Sequence, residues 1–409
     1  MSGLRATRSL IALSAAAVLL LSSCGGTSPA SDDSPTSATQ PPSETAEPAA
    51  PASETRTAND EHAAAEPAKT VELRPGERRA SLAMPAAYTP SAPFGAGTDD
   101  YRCFLLDPEL AEDEWLTGTT VQPGNPEVVH HVILFQVPPE QIGAAEAKDA
   151  QEDGEGWTCF GGTGLDAFQS VDDAAWIGAW APGGKESVRK PGYGVKLRAG
   201  SGIVMQVHYN LLAGSSPDVS AAQLRLAPGD RDMQQLQTML LPAPVELPCR
   251  AAYADGPLCD RDAAMFDVMD RFGPEGSQTA NALYLLCGGK PDPGQVQSCA
   301  RTVREPMTIH GSGGHMHLLG REIRIETNPG TPRAKMVLDI PVWDFDDQGA
   351  RDIEPVTLAA GDTVKVTCKH VQWLRDQLPS FEGQPDRYVV WGEGTTDEMC
   401  LGMLQVTRP

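Results

Sequence analysis

The residues best suited to metal chemistry in this chain are histidines, and five of its eight histidines lie in three short motifs. The first motif, Gly314-His315-Met316-His317, precedes the alternating polar and apolar stretch Glu322–Glu326, a pattern that predicts a strand. On a strand, residues i and i+2 share a face, so the two imidazoles would project side by side. Such a pair can chelate copper or a divalent transition metal. An isolated pair is more often an ordinary surface or core feature, but the concentration of histidines favours a metal site.

The second motif places His130 and His131 inside the apolar, β-branched run Val128–Val137, which predicts a buried strand. Buried imidazoles are costly unless their ring nitrogens find partners, and this favours a metal over a partnered core pair. Neighbouring strand residues point to opposite faces. The two rings can therefore share one metal only at a strand end or a bulge, or through different ring nitrogens.

The third motif is Val207-His208-Tyr209-Asn210, at the end of the predicted strand Ser201–Asn210. A lone strand histidine is usually structural, and only the other two motifs make His208 a candidate ligand. The spacing of His310 and His370 from the three motifs does not indicate that either is a metal ligand. His62 lies in a polar stretch and is not expected to be a ligand.

Composition predicts the class of fold and excludes one class of partner. The chain has 409 residues, with 40 glycines and 35 prolines but only 6% aromatic residues. This composition favours a loop-rich all-β protein of two or three domains over a helical bundle. The net charge of −23 argues against nucleic-acid binding and suits a protein that meets cations. No sequence feature indicates an oligomeric state.

The first residues are typical of a bacterial export signal. Arg5 and Arg8 precede an apolar run from Leu10 to Leu21 that is short for a membrane span. The run ends in Leu21-Ser22-Ser23-Cys24-Gly25, which resembles a lipobox. Residues 1–24 are therefore predicted to be a lipoprotein signal peptide, with Cys24 lipidated and the protein anchored on the extracytoplasmic face of the membrane. Ordinary signal cleavage or a free cysteine is the alternative.

The rest of the chain divides by composition into a linker and two domains. Residues 25–85 are rich in Ser, Thr, Pro, Ala and Glu and predict a disordered linker. Folded domains are expected at 86–230 and 231–409, with an insertion near 245–305 that contains the helix-like stretch Asp262–Phe272. Eight cysteines besides Cys24 suit disulfides in an exported protein, although sequence alone leaves their pairing open. Cys287 and Cys299 could close the loop between them.

Taken in chain order, the motifs with His130-His131, with His208, with His315-Met316-His317 and with Asp397-Glu398-Met399-Cys400 resemble those of the copper type II, ascorbate-dependent monooxygenases. This is the family of peptidylglycine α-hydroxylating monooxygenase and dopamine β-monooxygenase. Each motif alone is weak, but the ordered set is specific, and it extends from about Tyr101 to the C-terminus. The resemblance implies two tandem antiparallel β-sandwich, jelly-roll-like domains, each holding one copper.

The resemblance also implies roles for individual residues. His130, His131 and His208 would hold an electron-transfer copper, whereas His315, His317 and Met399 would hold the oxygen-binding copper. Cys368 and Cys400 would form a disulfide beside the methionine. Imidazole suits both copper oxidation states, and a thioether favours Cu(I), the state that meets O₂. The implied function is hydroxylation of a C–H bond in a small organic substrate, with O₂ and ascorbate or a similar reductant.

Two departures and three alternatives limit this resemblance. The peptide-amidating member has a substrate-gripping arginine and tyrosine where this chain has Gly313 and Met403, so peptide amidation is not expected. The stretch between His208 and His315 is also longer than in that member. The main alternative is a non-catalytic copper-binding or copper-storage lipoprotein, although the chain lacks methionine-rich runs. A cupredoxin-type electron carrier and an adhesive β-sandwich are the others.

Overall fold

The computed structural model describes residues 70–165, 174–290 and 292–409. All of them belong to one compact unit, Arg56–Pro409. The predicted signal peptide, the predicted lipidation site Cys24 and residues 25–69 of the predicted linker lie outside the described residues. Among the described residues, no helix combines the length and apolarity needed to cross a bilayer.

The N-terminal half of the described chain forms mostly short strands, as its β-branched and alternating stretches predict. Its strands are β1 (Arg78–Ala83), β2 (Asp99–Leu106), β3 (Glu114–Gln122), β4 (Val129–Val137), β5 (Trp157–Thr158), β6 (Trp176–Trp180), β7 (Ser187–Val188), β8 (Tyr193–Leu197), β9 (Gly202–Asn210), β10 (Ala221–Pro228) and β11 (Gln234–Gln235). One short helix, α1 (Ile142–Asp149), follows β4.

These strands form two sheets that enclose one apolar core. One sheet has the order β1-β10-β3-β8-β11, with β7 beside β3, and the other has the order β5-β2-β9-β4-β6. All pairings in them are antiparallel except that of β11 with β8. Leu116 and Leu224 from the first sheet pack in the same buried cluster as Val132 and Met205 from the second. The second sheet carries His130, His131 and His208.

The C-terminal half repeats this plan after an irregular start. Its strands are β12 (Gln237–Ala243), β13 (Glu246–Leu247), β14 (Val296–Thr302), β15 (Met307–His315), β16 (Gly320–Thr327), β17 (Lys335–Ile340), β18 (Arg351–Leu358), β19 (Thr363–His370), β20 (Val389–Val390) and β21 (Cys400–Thr407). The antiparallel orders are β12-β21-β15-β18 and β14-β19-β16-β17, with β13 and β20 paired separately. Leu241, Ile309 and Leu404 of one sheet share a buried cluster with Ile323 and Val366 of the other.

The region predicted to hold an insertion contains the long helix α2 (Arg261–Cys287). Asp260 caps its start, because the carboxylate accepts hydrogen bonds from the backbone N–H groups of Asp262 and Ala263. The non-helical backbone of Gly273, at φ 71°, interrupts the helix just before Pro274. The predicted helical stretch Asp262–Phe272 is thus the first segment of α2.

Four disulfides brace the described residues, pairing Cys103 with Cys159, Cys249 with Cys259, Cys287 with Cys299 and Cys368 with Cys400. The Cys287–Cys299 bond closes the loop that the sequence suggested. The Cys368–Cys400 bond is the one that the family resemblance implied. It ties the end of β19 to the start of β21, next to Met399.

The all-β sandwich architecture is confirmed, but the end of the linker is not where composition predicted it. Residues 78–83 were assigned to the disordered linker and instead form β1, which pairs with β10 from Arg78↔Leu226 to Ala83↔Ala221. The reason is local: Leu82 is buried in the core, and Arg225 of β10 forms an ion pair with Glu77 just ahead of β1. A single buried leucine in a charged stretch is too weak a signal to be noticed in composition.

Candidate metal centre

The strand register brings His130, His131 and His208 together. β4 and β9 pair antiparallel, and their register shifts between Val129 and His131, where His131 lies opposite His208. Such a shift marks a β-bulge, which lets two neighbouring residues turn toward the same side. This bulge meets the condition that the sequence imposed on two adjacent histidine ligands.

The three rings converge through the same kind of nitrogen. The Nδ1–Nδ1 distances are 3.2 Å between His130 and His131, 3.1 Å between His130 and His208, and 3.3 Å between His208 and His131. Hydrogen bonds cannot satisfy all three contacts, because a proton on one Nδ1 leaves the other two lone pairs facing each other. A cation among the three nitrogens removes this repulsion. The set therefore fits a metal that prefers imidazole.

Asp99 fixes the tautomer of His208. The Nε2 atom of His208 lies 2.9 Å from Oδ1 of Asp99, and both side chains are buried. Burial by itself would raise the pKa of Asp99, but hydrogen bonds from His208 and Thr395 outweigh burial and lower it. The carboxylate is thus ionised and accepts the Nε2 proton, which leaves the Nδ1 lone pair of His208 for a metal.

Burial keeps these imidazoles neutral. It is the main cause that lowers the pKa of His130 and of His131 well below the usual range, and it lowers the pKa of His208 against the opposing effect of Asp99. The Nε2 atom of His130 is buried with no hydrogen-bond partner among the described residues. Neutral imidazoles are the form that binds metal.

The second pair, His315 and His317, lies at a strand end and not along a strand. β15 ends at His315, and His317 belongs to the turn that leads into β16, so the expectation that both share a strand face is wrong. The buried carboxylate of Glu398 explains the turn: it accepts hydrogen bonds from the backbone N–H groups of His317, at 3.0 Å, and of Leu319. The two ring centroids are nonetheless 5.0 Å apart.

Hydrogen bonds orient both rings through Nδ1 and leave Nε2 free for another partner. Nδ1 of His315 lies 2.6 Å from Oε1 of Gln348, and Nδ1 of His317 lies 3.2 Å from the carbonyl oxygen of Asp397. Each acceptor requires the proton on Nδ1, so each Nε2 carries a lone pair. Nε2 of His317 is buried without a hydrogen-bond partner among the described residues. Burial lowers the pKa of His315 to about 3, and the neighbouring His317 adds to this shift.

Met399 lies at the same end of its sheet as these two histidines. It immediately precedes β21, in which Leu401 pairs with His315, and its side chain is buried. The carbonyl oxygen of Met399 accepts a hydrogen bond from Nε2 of His370 at 3.1 Å. The position therefore suits a ligand, and ligation through the thioether stays a prediction.

The two histidine sets adjoin each other across the two halves of the chain. The ring centroids of His131 and His315 are 5.7 Å apart. Phe345, from the segment between β17 and β18, stacks on His130 with ring centroids 4.9 Å apart. His131 and His315 are the partly exposed members, whereas the other three histidines are buried. Access to the centre is therefore at His131 and His315.

One segment contacts both sets, and we call residues Gly392–Glu398 the bridging segment. Toward the first set, Thr395 donates to Asp99 Oδ1 from its backbone N at 2.9 Å and from its hydroxyl at 2.7 Å. Tyr101, which stacks on His208 with centroids 4.0 Å apart, donates its hydroxyl to the carbonyl oxygen of Glu393. Toward the second set, Asp397 and Glu398 hold His317. A buried ion pair between Asp397 and Arg271 of α2 anchors the bridging segment.

Sequence reasoning identified the five histidines but missed the residues that orient them: Asp99, Thr395, Glu398, Gln348 and Phe345. Glu398 had a signal, because it lies within the motif that contains Met399. The others are distant in sequence from the residues they orient and have no distinctive spacing. Of the two described histidines outside these sets, His310 contacts Thr407, and His370 contacts Met399 and Glu398 through Nε2.

Comparisons with known proteins add no assignment. No family model matches the chain, and no curated protein matches it. Among solved structures, PNGase F, a glycosylasparaginase from Flavobacterium meningosepticum, is similar at 9% identity and a TM-score of 0.31, over 81% of this chain and 96% of that one. Allantoicase is similar at 12% identity and a TM-score of 0.17, over 78% of this chain and 90% of that one. These likenesses are too slight to carry an argument, and neither identifies a copper monooxygenase.

Proposed function

We propose that this chain is a copper-dependent monooxygenase that hydroxylates a C–H bond of a small organic substrate with O₂ and an external, ascorbate-like reductant. The observation that supports it is the presence of two imidazole sets that offer different lone-pair nitrogens to a metal, Nδ1 in the first and Nε2 in the second. The chemistry of each donor set fits copper. His130, His131 and His208 would hold one ion, and His315, His317 and Met399 the other.

When bound, copper would supply the oxygen activation and the electron transfer that C–H hydroxylation needs. One oxygen atom enters the substrate as a hydroxyl group, and two electrons from the reductant, with two protons, convert the other to water. The protein's task is orientation: Asp99 holds His208, Gln348 holds His315, and Asp397 and Glu398 hold His317 and its turn. The buried members of both sets limit water access, whereas His131 and His315 leave one side open to substrate.

The substrate is proposed to be a small molecule and not a peptide carboxylate. The two positions that grip such a carboxylate in the peptide-amidating family member are Gly313 and Met403 here, and they are direct cross-strand partners. A Cβ added at Gly313 would lie 3.2 Å from the Ala350 Cα and 3.4 Å from the Met403 Cε. A long cationic side chain at this position therefore has little room in this chain.

The test is copper content combined with oxygen consumption. Purified protein lacking residues 1–24 should bind two copper ions, and it should consume O₂ with ascorbate in the presence of a hydroxylatable substrate. Isotope-labelled O₂ should deliver one labelled atom to the product. Stoichiometric copper binding without oxygen uptake, across a panel of reductants and C–H substrates, would instead indicate a copper-binding or storage lipoprotein.

We also propose that the protein is lipid-anchored through Cys24 on the extracytoplasmic face of a bacterial membrane, on the strength of Leu21-Ser22-Ser23-Cys24. Four disulfides among the described residues support an oxidising compartment. A Cys24→Ser variant should move from the membrane fraction to the soluble exported fraction. Persistent membrane association of that variant would contradict the anchor.

A further inference from the structure

The C-terminal half carries an open cleft of about 830 Å³ that none of the five histidines lines. Its walls come from the turn after Cys249 and from residues 375–386. They include Arg250, Tyr253, Arg375, Leu378, Phe381 and Asp386. A cleft of this size accommodates a small organic molecule.

The guanidinium of Arg375 is held in place at this cleft but is not neutralised. Arg375 is only 6% exposed, and its Nε donates to Oε1 of Gln372 at 2.7 Å. Its charged carbon lies 4.4 Å from the ring centroid of Phe381, so the planar group stacks on the aromatic face. Nη1 and Nη2 are buried and have no hydrogen-bond partner among the described residues.

The other arginine of the cleft shows what Arg375 lacks. Arg250 makes a two-pronged contact with Asp386, from Nε at 2.8 Å and from Nη2 at 2.6 Å, and it also pairs with Asp376. Two of the four acidic residues that line the cleft, Asp376 and Asp386, are thus paired with Arg250. Burial, with repulsion from Arg387, lowers the pKa of Arg375 to about 10, so the group still carries its charge at neutral pH. A buried charge with unsatisfied donors destabilises a fold unless something binds it.

We propose that this cleft binds a monoanionic carboxylate, which pairs with Nη1 and Nη2 of Arg375 once the side chains that cover them shift, while its apolar body lies against Phe381 and Leu378. The planar fork of a guanidinium matches the two oxygens of a carboxylate. The single unpaired positive charge of Arg375 is balanced by a ligand with a single negative charge. The acidic Asp376, Glu382 and Asp386 around the cleft disfavour a dianion such as phosphate. The proposal does not rest on copper chemistry, because the cleft shares no lining residue with the histidine sets.

The first test uses the unaltered protein and three probes: benzoate, the neutral benzamide of nearly the same shape, and inorganic phosphate. Isothermal titration calorimetry should show benzoate binding, with benzamide and phosphate at least about tenfold weaker. Equal affinity for benzoate and benzamide would overturn the role of charge. Tighter binding of phosphate would overturn the choice of a carboxylate.

The second test replaces the guanidinium. Arg375→Met keeps an apolar stem of similar length, so it should weaken benzoate at least about tenfold while the ligand-free protein becomes no less stable to heat. Arg375→Lys keeps the charge but not the planar guanidinium, so it should also bind benzoate more weakly. This variant provides the test if Arg375→Met does not fold. Arg324→Met is the control, because Arg324 is exposed and pairs with Asp339 far from the cleft. Undiminished benzoate affinity in a folded Arg375 variant overturns the proposal.

Discussion

His208 donates its Nε2 proton to Asp99 across 2.9 Å, and Asp99 in turn accepts two hydrogen bonds from Thr395, a residue of the opposite half of the chain. The first histidine set is therefore oriented by contacts that cross between the halves. Loss of a residue that orients a metal ligand in this way commonly lowers metal affinity by roughly 10- to 100-fold.

Asp99→Asn should weaken metal binding at the first set by roughly 10- to 100-fold, because the amide no longer fixes the His208 tautomer with a full negative charge. Competition with a chelator of known copper affinity measures the change. Asp100→Asn is the matched control: Asp100 is also buried, but its carboxylate accepts from Tyr88 and Ser91 and not from a histidine. Equal losses in the two variants would show that Asp99 acts only on folding.

His131→Ala and His208→Ala should each remove about half of the bound copper and leave the second set filled. The reason is that Gln348, Asp397 and Glu398 orient His315 and His317 without help from the first set. Elemental analysis and copper electron paramagnetic resonance measure this. His310→Ala, which changes a histidine outside both sets, should keep full copper. If His131→Ala empties both sets, the adjoining rings form a single mixed site.

Met399→Leu should leave the protein folded and largely metallated but abolish ascorbate-dependent hydroxylation, because the thioether favours the copper state that meets O₂. The swap nearly conserves volume, so it should cost less than about 1.5 kcal/mol of unfolding free energy. Met307→Leu, a buried methionine of β15, controls for packing alone. Full hydroxylation by Met399→Leu would make Met399 a structural residue.

Glu393 should make stability fall as the pH rises through neutrality. Burial, with the nearby Asp397, raises the pKa of its carboxyl from 4.5 to about 7. The folded state therefore holds the proton more tightly than the unfolded state. This contribution is full below the unfolded pKa and is lost as the pH rises through the folded one, with a total of up to about 3 kcal/mol.

Urea unfolding of the wild type and of Glu393→Gln at pH 5 and pH 8 measures this effect. Between pH 5 and pH 8 the wild type should lose more unfolding free energy than Glu393→Gln, because the glutamine stays neutral. Glu354→Gln, at an exposed position of β18, should leave the pH dependence unchanged. An identical pH dependence in Glu393→Gln and the wild type would contradict the shift.

Local patterns predicted the parts of this molecule that depend on local chemistry. The period-two alternation of Glu322–Glu326 and the apolar run of Val128–Val137 predicted two central strands, β16 and β4. The grouping of His208 with His130 and His131 was implied by the family resemblance and not by spacing. His317 was misplaced because its turn depends on Glu398, a partner 81 residues away in sequence. The roles of Asp99 and Gln348 were not predicted for the same reason, because only the fold brings these residues to the rings they orient.

The bridging segment also has a consequence for the order in which the molecule matures. Thr395 follows Asp99 by 296 residues, so the ribosome makes it long after His130, His131 and His208. Until then the buried Asp99 lacks two of its donors, and His208 lacks its full support. The N-terminal histidines are synthesised first, yet their site is complete only once Thr395 is in place. Loading of the proposed copper should therefore follow synthesis of the bridging segment.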